Sequence, residues 1–296
     1  MKLQSTMARL KIFGKGPSKS QSAMEYLMTY GWAILIIAIV MVALFALGVF
    51  NPLTFAPKAQ PGSCSVNRNS YGGTSLSGVC NGQIPEFVAQ FNGQSSYVNM
   101  GNPTSITQPG SSFAIFAWVK TTSSQGRKPI VTFGSPSSCN TAEWFFISLS
   151  SQIESDLSCT VGPASAVTVT NGNWHFVGVV NTANTFQIYI DGVASGSPLV
   201  MSPNIQPGSF EIGKDFSSNL FVGSIANVQI YNTALSSNSI QALYQEGIGG
   251  APIDLQNLAG WWPLNGNAND YSVNGNNGQA SNVIYTSGWY SGYTQP

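Results

Sequence analysis

Two carboxylates one residue apart, Glu154 and Asp156, come closest in this 296-residue chain to a catalytic pair. Retaining hydrolysis of a glycosidic bond needs two carboxyl groups about 5 Å apart, which a strand can present on one face by alternation. The usual cluster has two glutamates and an aspartate, whereas the second glutamate is missing here and Cys159 follows closely. We therefore predict a solvated loop at residues 154–156 and a protein that is not an enzyme.

His175 is the only histidine, which excludes a metal centre built on several histidines. It lies in the apolar stretch WHFVGVV, so we expect a half-exposed strand residue rather than a general base. The sequence contains no nucleophile elbow, phosphate-binding loop or zincin motif.

Several aromatic residues stand in loop-like surroundings and could stack on a sugar ring: Tyr97, Trp144, Trp289 and Tyr293. No sequence pattern brings them to one face, so the ligand-binding residues stay undefined at this level.

Charge is scarce and unevenly distributed. Only 7% of residues are charged, and five basic residues with no acidic one occupy the first twenty positions. The rest of the chain has six basic and eleven acidic residues, a net charge of −5. This balance excludes a nucleic-acid partner, which would require a basic patch.

Four cysteines are present, and four thiols allow three pairings. Loop-sized separations favour two disulfides, Cys64 with Cys80 and Cys139 with Cys159. Neither interval has the spacing of a zinc site, which favours an oxidising compartment outside the cytosol.

The N-terminal region predicts export. Residues 31–50 carry no charge and would span about 30 Å as a helix, the thickness of a bilayer core. Basic residues precede this segment, so the positive-inside rule places residues 51 onward at the cell surface. We divide the region into a leader (1–20), an apolar transmembrane or filament-core helix (21–50) and a Pro-rich linker (51–62).

The stretch SQSAMEYL resembles the class III signal peptide of archaeal type IV pilin-like proteins. Gln21 and Glu25 match that pattern, whereas Ala23 and Thr29 depart from it. The resemblance implies cleavage between Ser20 and Gln21 and a homo-oligomeric filament in which Glu25 pairs with the new amine of a neighbouring subunit. A simple membrane anchor is the alternative.

Beyond residue 62 the chain consists of short alternating apolar runs separated by turn residues, which predicts an all-β domain over residues 63–296. Ten strands are expected, at 87–91, 96–101, 113–120, 129–134, 143–149, 166–170, 174–181, 185–192, 210–214 and 224–232. Their spacing predicts an antiparallel two-sheet sandwich, and one helix is expected near residues 236–245.

The stretches FNGQSSYVNMG, SFAIFAWVK, NWHFVGVVNTANTFQIYIDGV and GSIANVQIYNTALSSNSIQALYQEG resemble, in this order, the concanavalin A-like laminin G jelly roll. Residues 259–283 resemble the segment that usually opens such a domain. We expect this segment to complete the sandwich within the same chain. A truncated second repeat and a strand donated to a neighbouring subunit are the alternatives.

The same resemblance implies one structural Ca²⁺ held by Asp270, with Asn267, Asn274 and Asn276 adding oxygen ligands. A turn whose side chains bond their own backbone is an equal alternative.

Together these observations predict a pilin-like surface protein that displays a laminin G-like domain for adhesion to glycans, cells or surfaces. A membrane-anchored lectin that does not assemble is the first alternative, and a glycan hydrolase is the second.

Overall fold

Two units make up the chain, Met1–Lys58 and Ala59–Pro296. The computed structural model describes residues 19–46, 65–69, 73–77, 83–103 and 112–296. The linker at 51–62, most of the leader, and the predicted pair Cys64 and Cys80 lie outside the described residues.

Helix α1 (Lys19–Ala46) is the described part of the first unit. Its side chains are described at residue 28 and over residues 30–43, and all of these are exposed. The side chains of Ser20, Gln21 and Glu25 are outside the described part of this helix. In the part of the chain that the structure describes, no helix combines the length and hydropathy needed to cross a bilayer, so the predicted membrane span is not supported there.

The second unit contains seventeen strands within its described residues. They are β1 (Ser65–Asn69), β2 (Gly73–Ser77), β3 (Val88–Asn92), β4 (Tyr97–Asn99), β5 (Phe113–Lys120), β6 (Lys128–Gly134), β7 (Ala142–Ile147), β8 (Gln152–Leu157), β9 (Ala164–Thr168), β10 (His175–Thr182), β11 (Thr185–Ile190), β12 (Val193–Val200), β13 (Ser209–Ile212), β14 (Val222–Tyr231), β15 (Leu258–Trp262), β16 (Gln279–Ser281) and β17 (Ile284–Thr286).

Two antiparallel sheets form the sandwich. The back sheet has the order β12-β11-β10-β5-β14-β3-β17, with β15 also pairing with β14. The front sheet has the order β16-β4-β13-β6-β7-β8-β9, and β1 and β2 form a separate hairpin. The predicted all-β sandwich of antiparallel sheets is confirmed.

The centre of the back sheet, at β5 and β10, is buried on both faces, which explains the continuous apolar runs of these strands. In β5, Phe113 and Ile115 point into the core between the sheets. Phe116 and Trp118 point to the other face, where they pack in a second apolar cluster with residues of the C-terminal segment such as Trp289. Because both faces of β5 are buried, its sequence is a continuous apolar run, and the predicted range 113–120 matches the observed strand.

Helix α2 (Ser237–Gln245) covers part of this outer face. The Ser236 side chain accepts a hydrogen bond from the Ser239 N–H at 3.2 Å, as a helix cap does, and the helix lies where the sequence predicts it. Ile240 and Leu243 are its buried residues and belong to the second apolar cluster.

The C-terminal segment pairs with strands of the same chain. Strand β15 pairs with β14 in the back sheet, and β17 pairs with β3 at the edge of that sheet. Strand β16 pairs with β4 at the edge of the front sheet. Two consecutive short strands therefore contribute one edge to each sheet.

Cys139 and Cys159, one of the two predicted pairs, form a disulfide with their Cα atoms 5.0 Å apart. Cys139 precedes β7 and Cys159 follows β8, so the disulfide joins the open ends of this hairpin. The constraint lowers the entropy of the unfolded chain and stabilises the hairpin pairing.

A buried carboxyl group also lies in this hairpin. Glu143 on β7 is fully buried and shares the inner face with its paired neighbours Phe133 and Leu157. One carboxyl oxygen, Oε1, accepts a hydrogen bond from the Ser155 hydroxyl, and Oε2 has no partner among the described residues. Burial raises the pKa of Glu143 to about 8. The hydrogen bond from Ser155 opposes this shift, and the nearby charge of Asp156 adds to it.

We expect stability to fall as the pH rises from about 4.5 to about 8. Over this window the folded state keeps a proton on Glu143 that the unfolded state releases, so deprotonation favours unfolding. Glu143→Gln should leave the protein similarly stable at pH 5 and more stable than the native chain at pH 8.5, by on the order of a few kcal/mol. Urea unfolding across this pH range measures the difference.

Glu154→Gln is the matched control, because Glu154 lies on the outer face of the adjacent strand and is half-buried. An equal gain at pH 8.5 in both variants would contradict the assigned role of Glu143.

Candidate functional site

A row of polar and aromatic side chains crosses the outer face of the front sheet. Asp156 is paired with Trp144, Trp144 with Thr132, Thr132 with Glu211, and Glu211 with Asn99. Residues directly opposite each other in an antiparallel sheet point to the same face. We call these five residues the polar row. Their neighbours along each strand, including Phe133, Phe145 and Phe210, point into the core instead.

Arg127 organises one end of the polar row. Its Nη2 donates to Asp156 Oδ2 at 3.1 Å, and its guanidinium carbon lies 3.9 Å from the Phe146 ring centre and 5.2 Å from that of Trp144. The Gly162 N–H donates to the other oxygen of Asp156 at 2.8 Å. Burial raises the pKa of Asp156, whereas the Gly162 and Arg127 contacts oppose the shift.

Lys214 organises the other end in a similar way. Its Nζ donates to Glu211 Oε1 at 3.1 Å and lies 4.5 Å from the centre of the Tyr97 ring. The Thr132 hydroxyl donates to the Lys214 carbonyl at 2.7 Å, which ties the loop after β13 to the middle of the row. Phe216 in this loop packs against Trp144 with the ring centres 6.3 Å apart.

The cations are the accessible members of both ion pairs. The side chains of Arg127 and Lys214 are 31% and 29% exposed, whereas those of Asp156 and Glu211 are 5% and 8% exposed. Each cation donates one N–H group to its carboxylate. Arginine has five N–H donors and lysine has three, so further donors could serve a ligand. The half-buried Trp144 adds an aromatic surface, and its Nε1 has no hydrogen-bond partner among the described residues. Such a face suits a ligand with many hydroxyl groups and some apolar surface.

Two of the four aromatic candidates from the sequence, Tyr97 and Trp144, lie on this face. The other two do not, which corrects our prediction. Trp289 is 3% exposed, and its indole N–H donates to the Pro85 carbonyl at 3.0 Å within the second apolar cluster. The Tyr293 hydroxyl accepts a hydrogen bond from the Ile248 N–H at 3.2 Å.

The prediction of a solvated loop at residues 154–156 is wrong. These residues lie in β8, with Ser155 facing the core and Glu154 and Asp156 facing outward. Sequence reasoning also missed Arg127, Glu211 and Lys214 as site residues. The alternation of Phe210, Glu211 and Ile212 does predict an outward Glu211, but the neighbours that it meets depend on strand order.

His175 lies on β10 in the back sheet, away from the polar row. Its Nδ1 is 2.9 Å from Asp191 Oδ2, and its Nε2 is 3.1 Å from Asn171 Oδ1. With 14% of its side chain exposed, it is more buried than we predicted and serves as a structural link between strand and loop.

The predicted calcium ligands lie in the loop between β15 and β16, where Asp270 is fully buried. Its carboxylate accepts four hydrogen bonds, from the backbone N–H groups of Trp261, Ser272 and Asn276 and from the Ser272 hydroxyl, at 2.7 to 2.9 Å. The Asn274 amide group donates to the Ala259 carbonyl at 2.9 Å.

This arrangement does not fit a calcium site centred on Asp270. A carboxylate offers about four lone-pair positions, and the protein's own donors use all four. Asn267, another predicted ligand, accepts the Asn269 N–H at 2.9 Å instead. Among the described residues, no group of three or more His, Cys, Asp or Glu side chains could hold a metal ion. These hydrogen bonds account for the conformation of the loop without a metal ion. Calcium binding to the protein stays an untested prediction.

The two packed antiparallel sheets define a lectin-like β-sandwich. Residues 92–241 match the model of the concanavalin A-like lectin/glucanases superfamily, which covers half of the chain, and the protein belongs to this superfamily. The predicted resemblance to a laminin G-like domain is thereby confirmed, whereas the pilin-like signal peptide stays a prediction.

Several solved structures are similar to this chain at low sequence identity. A Bacteroides ovatus protein whose name assigns it to carbohydrate binding is 14% identical, with a TM-score of 0.52 over 77% of this chain and 70% of that one. A heptameric SAP-like pentraxin from Limulus polyphemus is 12% identical, with a TM-score of 0.44 over 58% of this chain and 86% of that one. The CBM40 of a Ruminococcus gnavus IT-sialidase is 17% identical, with a TM-score of 0.40 over 52% and 96%. No curated protein sequence matches the chain.

Replacing Asp270 should destabilise the domain whether or not calcium is present. Asp270→Ala leaves four donors, three of them buried, without their acceptor, so we expect a loss of roughly 3–5 kcal/mol in the free energy of unfolding. Asn267→Ala, which removes two local hydrogen bonds outside the buried core, should cost about 1 kcal/mol or less. Thermal melts with calcium and with a chelator measure both. A calcium-dependent rise in melting temperature that disappears in Asp270→Ala would restore the calcium hypothesis.

Proposed function

We propose that the domain binds glycans on the outer face of the front sheet and is displayed at the cell surface for adhesion. The main support is the clustering of Arg127, Lys214 and Trp144 around the polar row, where spare N–H donors lie beside aromatic surface. Sugars offer hydroxyl groups to such donors and C–H faces to such rings. Membership of a superfamily of lectins and glucanases agrees with a carbohydrate ligand.

Binding is favoured over hydrolysis by the pairing of the carboxylates. Retaining and inverting hydrolases need one carboxyl group as an acid and a second as a nucleophile or base. Asp156 and Glu211 are each engaged by a cation and nearly buried, and Glu143 faces the opposite side of the sheet. Only Glu154 remains as a half-buried outward carboxylate on β8.

We further propose that the N-terminal segment attaches the domain to the cell. The support comes from the sequence, in which basic residues precede Gln21 and Glu25 and an uncharged apolar stretch follows at 31–50. The disulfide of Cys139 and Cys159 agrees with an oxidising compartment outside the cytosol. A pilin-like filament gives Glu25 a partner, whereas a membrane anchor alone does not require this glutamate.

Trp144→Ala should weaken glycan binding by about tenfold or more, because it removes the aromatic surface and the support for Arg127. A glycan array with the isolated domain identifies a ligand, and isothermal titration calorimetry then measures the affinity of each variant. Tyr290→Ala is the matched control, since Tyr290 is an exposed aromatic residue outside the polar row.

Full affinity in Trp144→Ala, with its melting curve unchanged, would place the glycan elsewhere on the domain. Release of reducing sugar from the bound glycan, abolished by Glu154→Gln, would instead support hydrolysis.

Cleavage and assembly can be tested on intact cells. Mass spectrometry of the surface subunit should find Gln21 at the mature N-terminus, and Glu25→Ala should remove the filaments seen by electron microscopy, because the new amine then lacks its carboxylate. Glu86→Ala, a change at an exposed residue of the sandwich unit, should leave filaments intact. A membrane monomer with an intact Met1, or normal filaments in Glu25→Ala, would contradict the pilin-like assignment.

A further inference from the structure

If the polar row is the glycan site, as we propose, we infer that its ligand is a neutral oligosaccharide long enough to bridge both ends of the row. Two similar groups of residues carry this inference. The Arg127 unit consists of Arg127, Trp144 and Asp156, and the Lys214 unit consists of Lys214, Tyr97 and Glu211. In each unit a partly exposed cation lies over an aromatic ring and is paired with a buried carboxylate.

The charge of the face argues against an anionic ligand. Arg127 and Lys214 are each neutralised within their own unit, at 3.1 Å in both cases, and Glu154 adds one further carboxylate to the same face. The other two cations whose side chains are described are used elsewhere. Lys128 donates to the carbonyls of residues 125 and 126, and Lys120 donates to that of residue 291. An acidic sugar would therefore find no unpaired cation on this face. Its carboxylate would lose hydrating water without forming a compensating ion pair.

The spacing of the units argues against a single sugar ring. Glu211 and Asp156 lie on β13 and β8, which are separated in the front sheet by β6 and β7. Three interstrand spacings of about 4.8 Å place them roughly 14 Å apart. A pyranose ring is about as wide as one such spacing, so one ring reaches one unit only. A chain of several rings can contact both.

The loop after β13 covers the middle of the row and connects the two units. Thr132 lies between the units and is fully buried beneath the loop after β13, to which its hydroxyl is bonded at 2.7 Å. Phe216 of this loop contacts Trp144 in one unit, and Lys214 at its start belongs to the other. The loop therefore links the two units and holds their spacing.

Chain length and charge of the ligand provide the test. Calorimetry with the isolated domain should show affinity rising by roughly tenfold or more from the monosaccharide to the tetrasaccharide of the neutral glycan found on the array, then levelling off. The binding should change little between low and high salt, because the ligand is uncharged. The matched oligosaccharide carrying uronic acids should bind at least about tenfold more weakly.

Variants of the two units separate the outcomes. Arg127→Met and Lys214→Met should each weaken tetrasaccharide binding by about tenfold, whereas only one of them should weaken monosaccharide binding. Where Arg127→Met unfolds, Arg127→Met combined with Asp156→Asn removes the cation and its buried partner together.

Equal affinity for the monosaccharide and the tetrasaccharide, or tighter binding of the acidic series, would overturn the inference and leave glycan binding intact. Absence of binding to any glycan on the array would overturn the proposed function itself.

Discussion

Strand register in the front sheet is the constraint on which the polar row depends. Side chains alternate between faces, so a shift of β7 by one residue relative to its neighbours would bury Trp144 and expose Phe145. The disulfide of Cys139 and Cys159 joins the ends of the β7–β8 hairpin and opposes such a shift. The Ser158 hydroxyl adds to this by accepting backbone N–H groups at the start of β7. The accessible chemistry of the outer face therefore follows from backbone pairing and a covalent link.

Three carboxyl groups of the front sheet are buried, and their partners decide what each one does. Asp156 and Glu211 meet cations, which offset the cost of removing a charge from water. Glu143 meets only a hydroxyl group, so its pKa rises to about 8 and the neutral form is favoured in the folded state. Asp270, in the loop after β15, shows a third solution, in which three backbone N–H groups and the Ser272 hydroxyl satisfy the carboxylate.

Local sequence was sufficient wherever one periodicity dominated. Strand β5 could be predicted to the residue because its apolar run is bounded by turn residues, and α2 because Ser236 stands before an amphipathic segment. Strand β8 was missed because Ser155 occupies an inward position that an apolar residue would normally fill. Its hydrogen bond to Glu143, a residue on the neighbouring strand, makes that position acceptable, and no local pattern reports such a pair.

The sequence by itself determined the class of the domain, the cysteine pair that closes the hairpin and the positions of ten strands. These follow from composition and from contacts near in the chain. The tertiary structure alone decided which aromatic residues are accessible. Trp144 and Trp289 were both predicted to be accessible, yet one lies on the polar row and the other is buried beside Trp174. It also decided that Arg127 meets Trp144 and that Lys214 meets Tyr97 on the same face, since these contacts depend on the order of strands in the sheet. Strand order is set by the burial of the whole sandwich.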